Sequence, residues 1–317
     1  MAKQNSNSPT MTKKAGKKYG MKYSKRALRE AGQGYMFMAP TLLVIGVFVL
    51  LPILYAVFLS FHRVQLLGGT SFEFVGFSNF VRISDDYRAG IALWNTFKYV
   101  IIVVPIQTML ALFLAATLNA GMKGEKWFRI IYFLPTLTSS AVLTLIFMWM
   151  YNQEGAFNQM LAFLGLPTYN WLNDPSVALT AIMIMNIWAT APFFMVIYLA
   201  ALQDIPDSLY EAAELDGAGP IQKFWHVTVP LLRPVTSFAI IMGIIGTFQL
   251  FDQSYIFSGG SGGPSNSTLT VVLLIYQYAF DSAGRMGYAA ALAFGLAFII
   301  LTATLIQRKL SKEETFY

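Results

Sequence analysis

Long apolar runs separated by short polar segments set the pattern of this chain. About 20 apolar residues are needed to cross roughly 30 Å of hydrocarbon. Six runs approach or reach that length: 35–61, 95–118, 128–151, 177–202, 235–257 and 285–306. Pro40 and Pro52 fall within the first, and Lys98 is close enough to the end of the second to snorkel toward headgroups. The pattern predicts an all-α polytopic membrane protein with six transmembrane helices in the lipid bilayer, which puts both termini on one side. Residues 1–34 then form a basic tail expected to be disordered, 35–307 the transmembrane domain and 308–317 a short C-terminal tail.

Among the polar interruptions, residues 204–234 stand out because they keep helical character throughout. Five of the 16 acidic residues lie in the first half: Asp204, Asp207, Glu211, Glu214 and Asp216. A helix can begin near Pro206, and Ser208 with Glu211 three residues on also fits a capping box. Gly217 to Pro220 reads as a break, with Pro220 opening a second short helix that Pro230 and Pro234 close. Ala212 and Ala213 make a small-residue patch that lets another surface come close.

Composition agrees with a lipid solvent. The chain is 56% apolar and 12% charged, with a mean hydropathy of +0.54, against about 25% charged in soluble domains. It has no cysteine, which excludes disulfides and thiolate metal sites. Of 22 Lys and Arg, 17 lie in the two tails, near 119–129 and in 204–234. Arg63, Arg82, Arg88 and Arg285 face the other way, and 152–176 has none. The positive-inside bias therefore places both termini and the 204–234 loop in the cytoplasm. The basic tail reads as an anchor on an anionic membrane surface rather than a nucleic-acid-binding arm. The apolar run after it is too long for a cleaved signal.

The outer segments carry less. Residues 72–83, FEFVGFSNFVRI, suit the membrane interface, as do Tyr169 and Trp171. The run SGGSGGPSNS, 258–267, is expected to be a flexible linker, since it lacks the Lys-Ser/Thr of a phosphate-binding loop.

Glu211-Ala212-Ala213, three residues, Gly217, nine residues and Val227-Thr228-Val229-Pro230 resemble the EAA signature of permease subunits of ATP-binding-cassette importers. Val227 and Val229 stand where the usual form has Ile and Leu. Residues 251–270 with 286–289 look like the outer-loop region of the sugar-type members. The resemblance implies a type I importer permease fold in the prokaryotic cytoplasmic membrane. It also implies a second permease subunit, two cytoplasmic ATP-binding subunits and an extracytoplasmic substrate-binding protein. ATP and Mg would sit on the ATPases, and this chain would bind no cofactor. Loop 204–234 would be the coupling helix. Glu211 would then make a polar contact to the ATPase, Ala212 and Ala213 would allow close docking, and Gly217 would give the turn, with Asp216 and Pro230 completing the segment.

Charged groups inside spans are costly and point to function, and Asp252 is the one that qualifies well. Asn186, Trp188, Thr190 and Phe193 in the fourth span, and Phe248, Gln249, Asp252 and Gln253 in the fifth, mix hydrogen-bonding groups with aromatic faces, as a sugar requires. Phe248 and Asp252, four apart, are expected on one helix face. The same residues also suit hydrogen bonds across the bundle. No Arg or Lys cluster lies in the spans, which favours a neutral sugar, glycoside or polyol. His62 and His226 are each alone, which argues against a metal site. A secondary transporter or channel is the alternative, but it would normally show more intramembrane acids and paired repeats.

Overall fold

The computed structural model describes residues 25–65, 71–121, 124–281 and 285–311. Most of the basic tail lies outside them. Its last ten residues do not fit the expected disorder, because α1 (Lys25–Ile45) begins there. The segment KRALREA is rich in Ala, Leu, Arg and Glu, the better helix formers. Helix continues through a π turn, Gly46–Leu50, into α2 (Leu51–Ser60). The chain divides into two compact units between Leu54 and Tyr55, and the second unit holds the helix bundle.

A two-stranded hairpin, β1 (His62–Gln65) and β2 (Ser71–Phe74), and α3 (Ser78–Asp85) precede the long α4 (Tyr87–Asn119). The hairpin pairs His62 with Phe74, a small departure from all-α. Asp86 caps α4: its Oδ1 accepts from the N–H groups of Arg88 at 2.9 Å and Ala89 at 3.4 Å. Its Oδ2 accepts from the hydroxyls of Tyr278 at 2.8 Å and Tyr288 at 2.9 Å. Burial alone would push this carboxyl up, but the four donors outweigh it and hold it below its ordinary value.

The third expected span is not one helix. It is α5 (Glu125–Leu137) and α6 (Ser140–Met150), bent by 101°. Pro135 removes a ladder donor near the end of α5, and Thr138 and Ser139 turn extended, with ψ of 137° and 135°. The chain therefore has five helices long and apolar enough to cross a membrane, or six crossings if the bent pair is one, among the described residues. A short α7 (Ala156–Phe163) is anchored by the buried Asn158, whose amide nitrogen donates to Tyr169 O at 2.9 Å and whose Oδ1 accepts from Trp171 Nε1 at 3.0 Å.

The bundle core is the pairing of α4 with α8 (Ala178–Gln203), the most extensive helix contact. Fully buried alanines, among them Ala111, Ala115, Ala181 and Ala191, let the two backbones approach. Beyond α8 come α9 (Asp207–Leu215), α10 (Pro220–Lys223), α11 (Val229–Leu231), α12 (Arg233–Phe248) and α13 (Asp252–Ser258). The fifth crossing is thus interrupted at Gln249–Phe251. The Gly/Ser-rich run is not a flexible spacer. Positive-φ glycines at 259, 260 and 262 fold it into turns, Ser254 donates to Thr268 O, and Asn95 Nδ2 of α4 donates to Asn266 O at 2.8 Å and Leu269 O at 3.0 Å. Every backbone group so held is unavailable to a random coil. Then come α14 (Val271–Tyr276), a π turn, and α15 (Met286–Leu310).

Candidate functional site

Two places concentrate chemistry, the 204–234 loop and a cavity among the helices. In the loop, α9 follows Pro206, whose backbone is extended, with φ −62° and ψ 131°. No side chain caps it, so the Ser208–Glu211 box does not form. Ala218 N donates to Ala213 O at 2.9 Å and Gly217 N to Glu214 O at 2.9 Å, the double bond of a Schellman terminus, with Gly217 left-handed at φ +82°. Lys223 of α10 pairs with Glu214 of α9, and this hydrogen bond and charge hold the Glu214 carboxyl below its usual range. Gln222 Oε1 accepts from Gly219 N at 2.9 Å, and the Tyr210 hydroxyl meets Thr228 Oγ1 at 2.9 Å.

Pro230 and Pro234 do not end the second helix as expected. A π turn, Phe224–Thr228, carries α10 into α11, and the two prolines sit in the first turns of α11 and α12. The wide turn takes up the bond and the space that a proline ring denies an α-helix. Glu211 and Ala212 are exposed, Ala213 is half-buried, and Asp216 caps α9. Glu211 makes no hydrogen bond or ion pair with the described residues. The same loop carries three exposed apolar side chains outside the charge pattern: Leu215 at 91%, Ile221 at 75% and Trp225 at 61% exposure. Their signal was available as large apolar residues in a segment otherwise polar.

The cavity, about 530 Å³, is walled by α4, α8, the bend between α5 and α6, and the break between α12 and α13. Six of the eight pathway candidates line it: Asn186, Thr190, Phe193, Gln249, Asp252 and Gln253. Gln253 Nε2 lies 3.4 Å from Asn186 Oδ1, a link between α13 and α8. Asp252 opens α13, where a carboxylate suits the positive helix end. The other two candidates are elsewhere. Trp188 lines a separate apolar cavity of about 520 Å³ in the crook of α5 and α6, its ring 5.4 Å from that of Phe147. Phe248 is 3% exposed in the core with Leu292 and Leu296. It does not share a helix face with Asp252, because α12 ends at Phe248 and Phe251 adopts φ −131° and ψ −65° before α13.

Residues missed in the sequence complete the wall. Thr136, Thr138 and Ser140 come from the bend, and Gln107 from α4. A lone amide in a long apolar helix was the available signal for Gln107. The lining residues include no Lys, Arg or His, and Asp252 is the acid among them. His62 and His226 each sit beside a helical carbonyl, at 2.7 and 3.0 Å. Among the described residues, no three His, Cys, Asp or Glu come together as metal ligands.

Residues 107–314 match the family model described as the binding-protein-dependent transport system inner membrane component. The lactose transport system permease protein of Rhizobium radiobacter is 37% identical over 283 residues, covering 88% of this chain and 94% of that protein. The trehalose/maltose transport system permease protein of Thermococcus litoralis is 33% identical over 290 residues, covering 91% and 97%. A chain of the bacterial alginate ABC transporter, solved in complex with an alginate pentasaccharide-bound periplasmic protein, superimposes with a TM-score of 0.80 at 21% identity over 92% of this chain and 98% of that one. That likeness is one of fold. A helical multi-pass architecture, the EAA-spaced loop and relatives matched along nearly their whole length lead to one conclusion: the chain belongs to the inner-membrane permease components of binding-protein-dependent ABC transport systems.

Proposed function

We propose that this permease forms half of the passage for a neutral sugar or glycoside, and that loop 204–234 is its contact with a cytoplasmic ATPase. The observation that carries the reading is the cavity wall, where amides, hydroxyls, one carboxylate and the Phe193 ring converge without a cation. Sugar hydroxyls both donate and accept, and sugar C–H faces lie well on aromatic rings, so the ligand class matches the wall. Relatives named for lactose, trehalose/maltose and arabinooligosaccharide transport support it. A second permease would supply the other half, two ATPases would hold ATP and Mg and hydrolyse the nucleotide, and an extracytoplasmic binding protein would deliver the sugar. The distribution of Lys and Arg supports cytoplasmic termini and a cytoplasmic loop.

In the loop, Glu211 offers an unpaired carboxylate beside Ala212 and Ala213, and Leu215, Ile221 and Trp225 offer apolar anchors. Coupling requires that these contacts differ between the two states of the ATPase. The test is ATP-driven uptake of labelled lactose, maltose or arabinotriose by the co-purified complex in proteoliposomes with its binding protein. Glu211→Ala is expected to lower sugar moved per ATP hydrolysed. Uptake by the chain alone, on an ion gradient and without ATP, would refute the reading.

A further inference from the structure

Gln107 stands midway along α4, 1% exposed, with Val103, Val104 and Ala111 buried around it. An amide buried in a helix core is costly unless both of its ends find partners, so the surroundings of each end of Gln107 need an account. One end is satisfied. The Thr190 hydroxyl of α8 lies 2.7 Å from Gln107 Oε1 and 2.7 Å from Asn186 O, and donates to one at a time. The other end, Nε2, carries two N–H donors and has no partner among the described residues.

Nε2 is not sealed in the core, because Gln107 and Gly243 both line the cavity. A Cβ at Gly243 would lie 2.6 Å from Nε2, so the absence of a side chain on α12 is what lets the amide reach across. Three helices thus cooperate: α4 carries the amide, α8 fixes its oxygen, and α12 leaves room for its nitrogen. The Asp252 carboxylate, the cavity's other strong partner, can only accept.

We propose that Gln107 is a ligand-contacting, specificity-setting residue whose side-chain NH₂ donates to a hydroxyl oxygen of a neutral sugar in this cavity. The proposal rests on the sugar-permease reading and deepens it. Gln107 supplies donors and Asp252 an acceptor, so the pair selects a polyhydroxylated ring by matching both senses of its hydroxyls. A site built to hydrogen-bond a particular hydroxyl rejects the analogue that lacks it.

The experiment uses the whole complex in proteoliposomes, with its binding protein and the sugar among lactose, maltose and arabinotriose that the wild type takes up best. Uptake of that sugar is compared with uptake of its mono-deoxy derivatives that the binding protein still binds. The binding protein is the same throughout, so its own preference cancels between wild type and variant. Gln107→Met keeps the length and removes both polar ends. It is expected to lose about tenfold of the discrimination against one deoxy position, and little at the others. A general structural defect would slow every sugar alike and leave the ratios unmoved. Should Gln107→Met fail to assemble, Gly243→Ala displaces the same nitrogen and carries the same expectation. Discrimination unchanged at every position, while the wild type takes up the sugar, overturns the Gln107 assignment alone. A wild-type complex that takes up none of the three sugars overturns the sugar reading and this proposal with it.

Discussion

Replacing Gly217 isolates the geometry of the proposed lever from its chemistry. The residue sits at φ +82°, and a Cβ added there would meet nothing within 4 Å. Alanine is therefore penalised by backbone conformation alone, by about 1 kcal/mol, which shifts the population of the turn about fivefold. Asparagine tolerates the left-handed region better, so Gly217→Asn should lose roughly half as much. Proline is locked near φ −65° and forfeits the N–H that donates to Glu214 O at 2.9 Å, so Gly217→Pro should dismantle the Schellman terminus. The expected order of sugar moved per ATP in the reconstituted complex is Gly, then Asn, then Ala, then Pro. Amounts of assembled complex should stay similar for Asn and Ala, because residue 217 is exposed. If Asn performed no better than Ala, or Pro matched the wild type, the left-handed turn would not be what holds α9 and α10 in working register.

Two further predictions concern the scaffold. Asp86 has a lowered folded pKa, so its contribution is fully present above the unfolded value of about 3.9 and is lost as pH falls through the folded one. Asp86→Asn should therefore lower the melting midpoint at pH 7, by the equivalent of about 1 kcal/mol given its partial exposure. The gap from wild type should begin to close only once pH falls below the unfolded value of about 3.9, and a gap that stayed constant with pH would contradict the charge-based account. At Gly287, a Cβ would lie 1.9 Å from His62 O and 2.7 Å from Leu59 O, both backbone atoms. Gly287→Ala must then move α15, at a cost of about 1–3 kcal/mol, which should appear as several degrees in a thermal-stability assay of the purified protein. An unchanged midpoint would show that the close approach is relaxed at no cost.

The crossings were legible because hydropathy over about 20 residues is a strong signal, and the loop because its spacing and glycine carry their own geometry. The interruptions were not legible. Residues 128–151 are apolar on both sides of Thr138, so composition alone cannot separate one crossing from two helices at 101°. The break at Gln249–Phe251 contains neither Gly nor Pro and is held by tertiary contacts, such as the bond from Thr270 Oγ1 to Leu250 O at 2.9 Å. Trp188 and Phe193 could not be sorted between cavities because α8 is apolar all round, which leaves no amphipathic phase to read. Leu215, Ile221 and Trp225 show in the sequence only as large apolar residues among charged neighbours, a pattern that does not tell an exposed side chain from a buried one.

The two interruptions explain where the cavity lies. Backbone away from regular helix is tolerated at membrane depth only where protein or a water-filled space takes up its polar groups. Both breaks border the cavity: Thr138 and Ser140 come from one, and Gln249, Phe251 and Asp252 from the other. The remaining wall is continuous helix, since α4 and α8 are single long helices packed through alanines. The cavity thus joins an unbroken helical face, carrying Gln107, Asn186 and Thr190, to a face assembled around two helix breaks. The helices that bracket the 204–234 loop are α8 on one side and α12 on the other, and both line the cavity, through Thr190 and through Gly243 and Thr247. The loop therefore needs no further element to reach the site. Moving α12 relative to α8 by about an ångström would change the room beside Gly243 that the Gln107 amide occupies, because packed interiors yield little space without rearrangement.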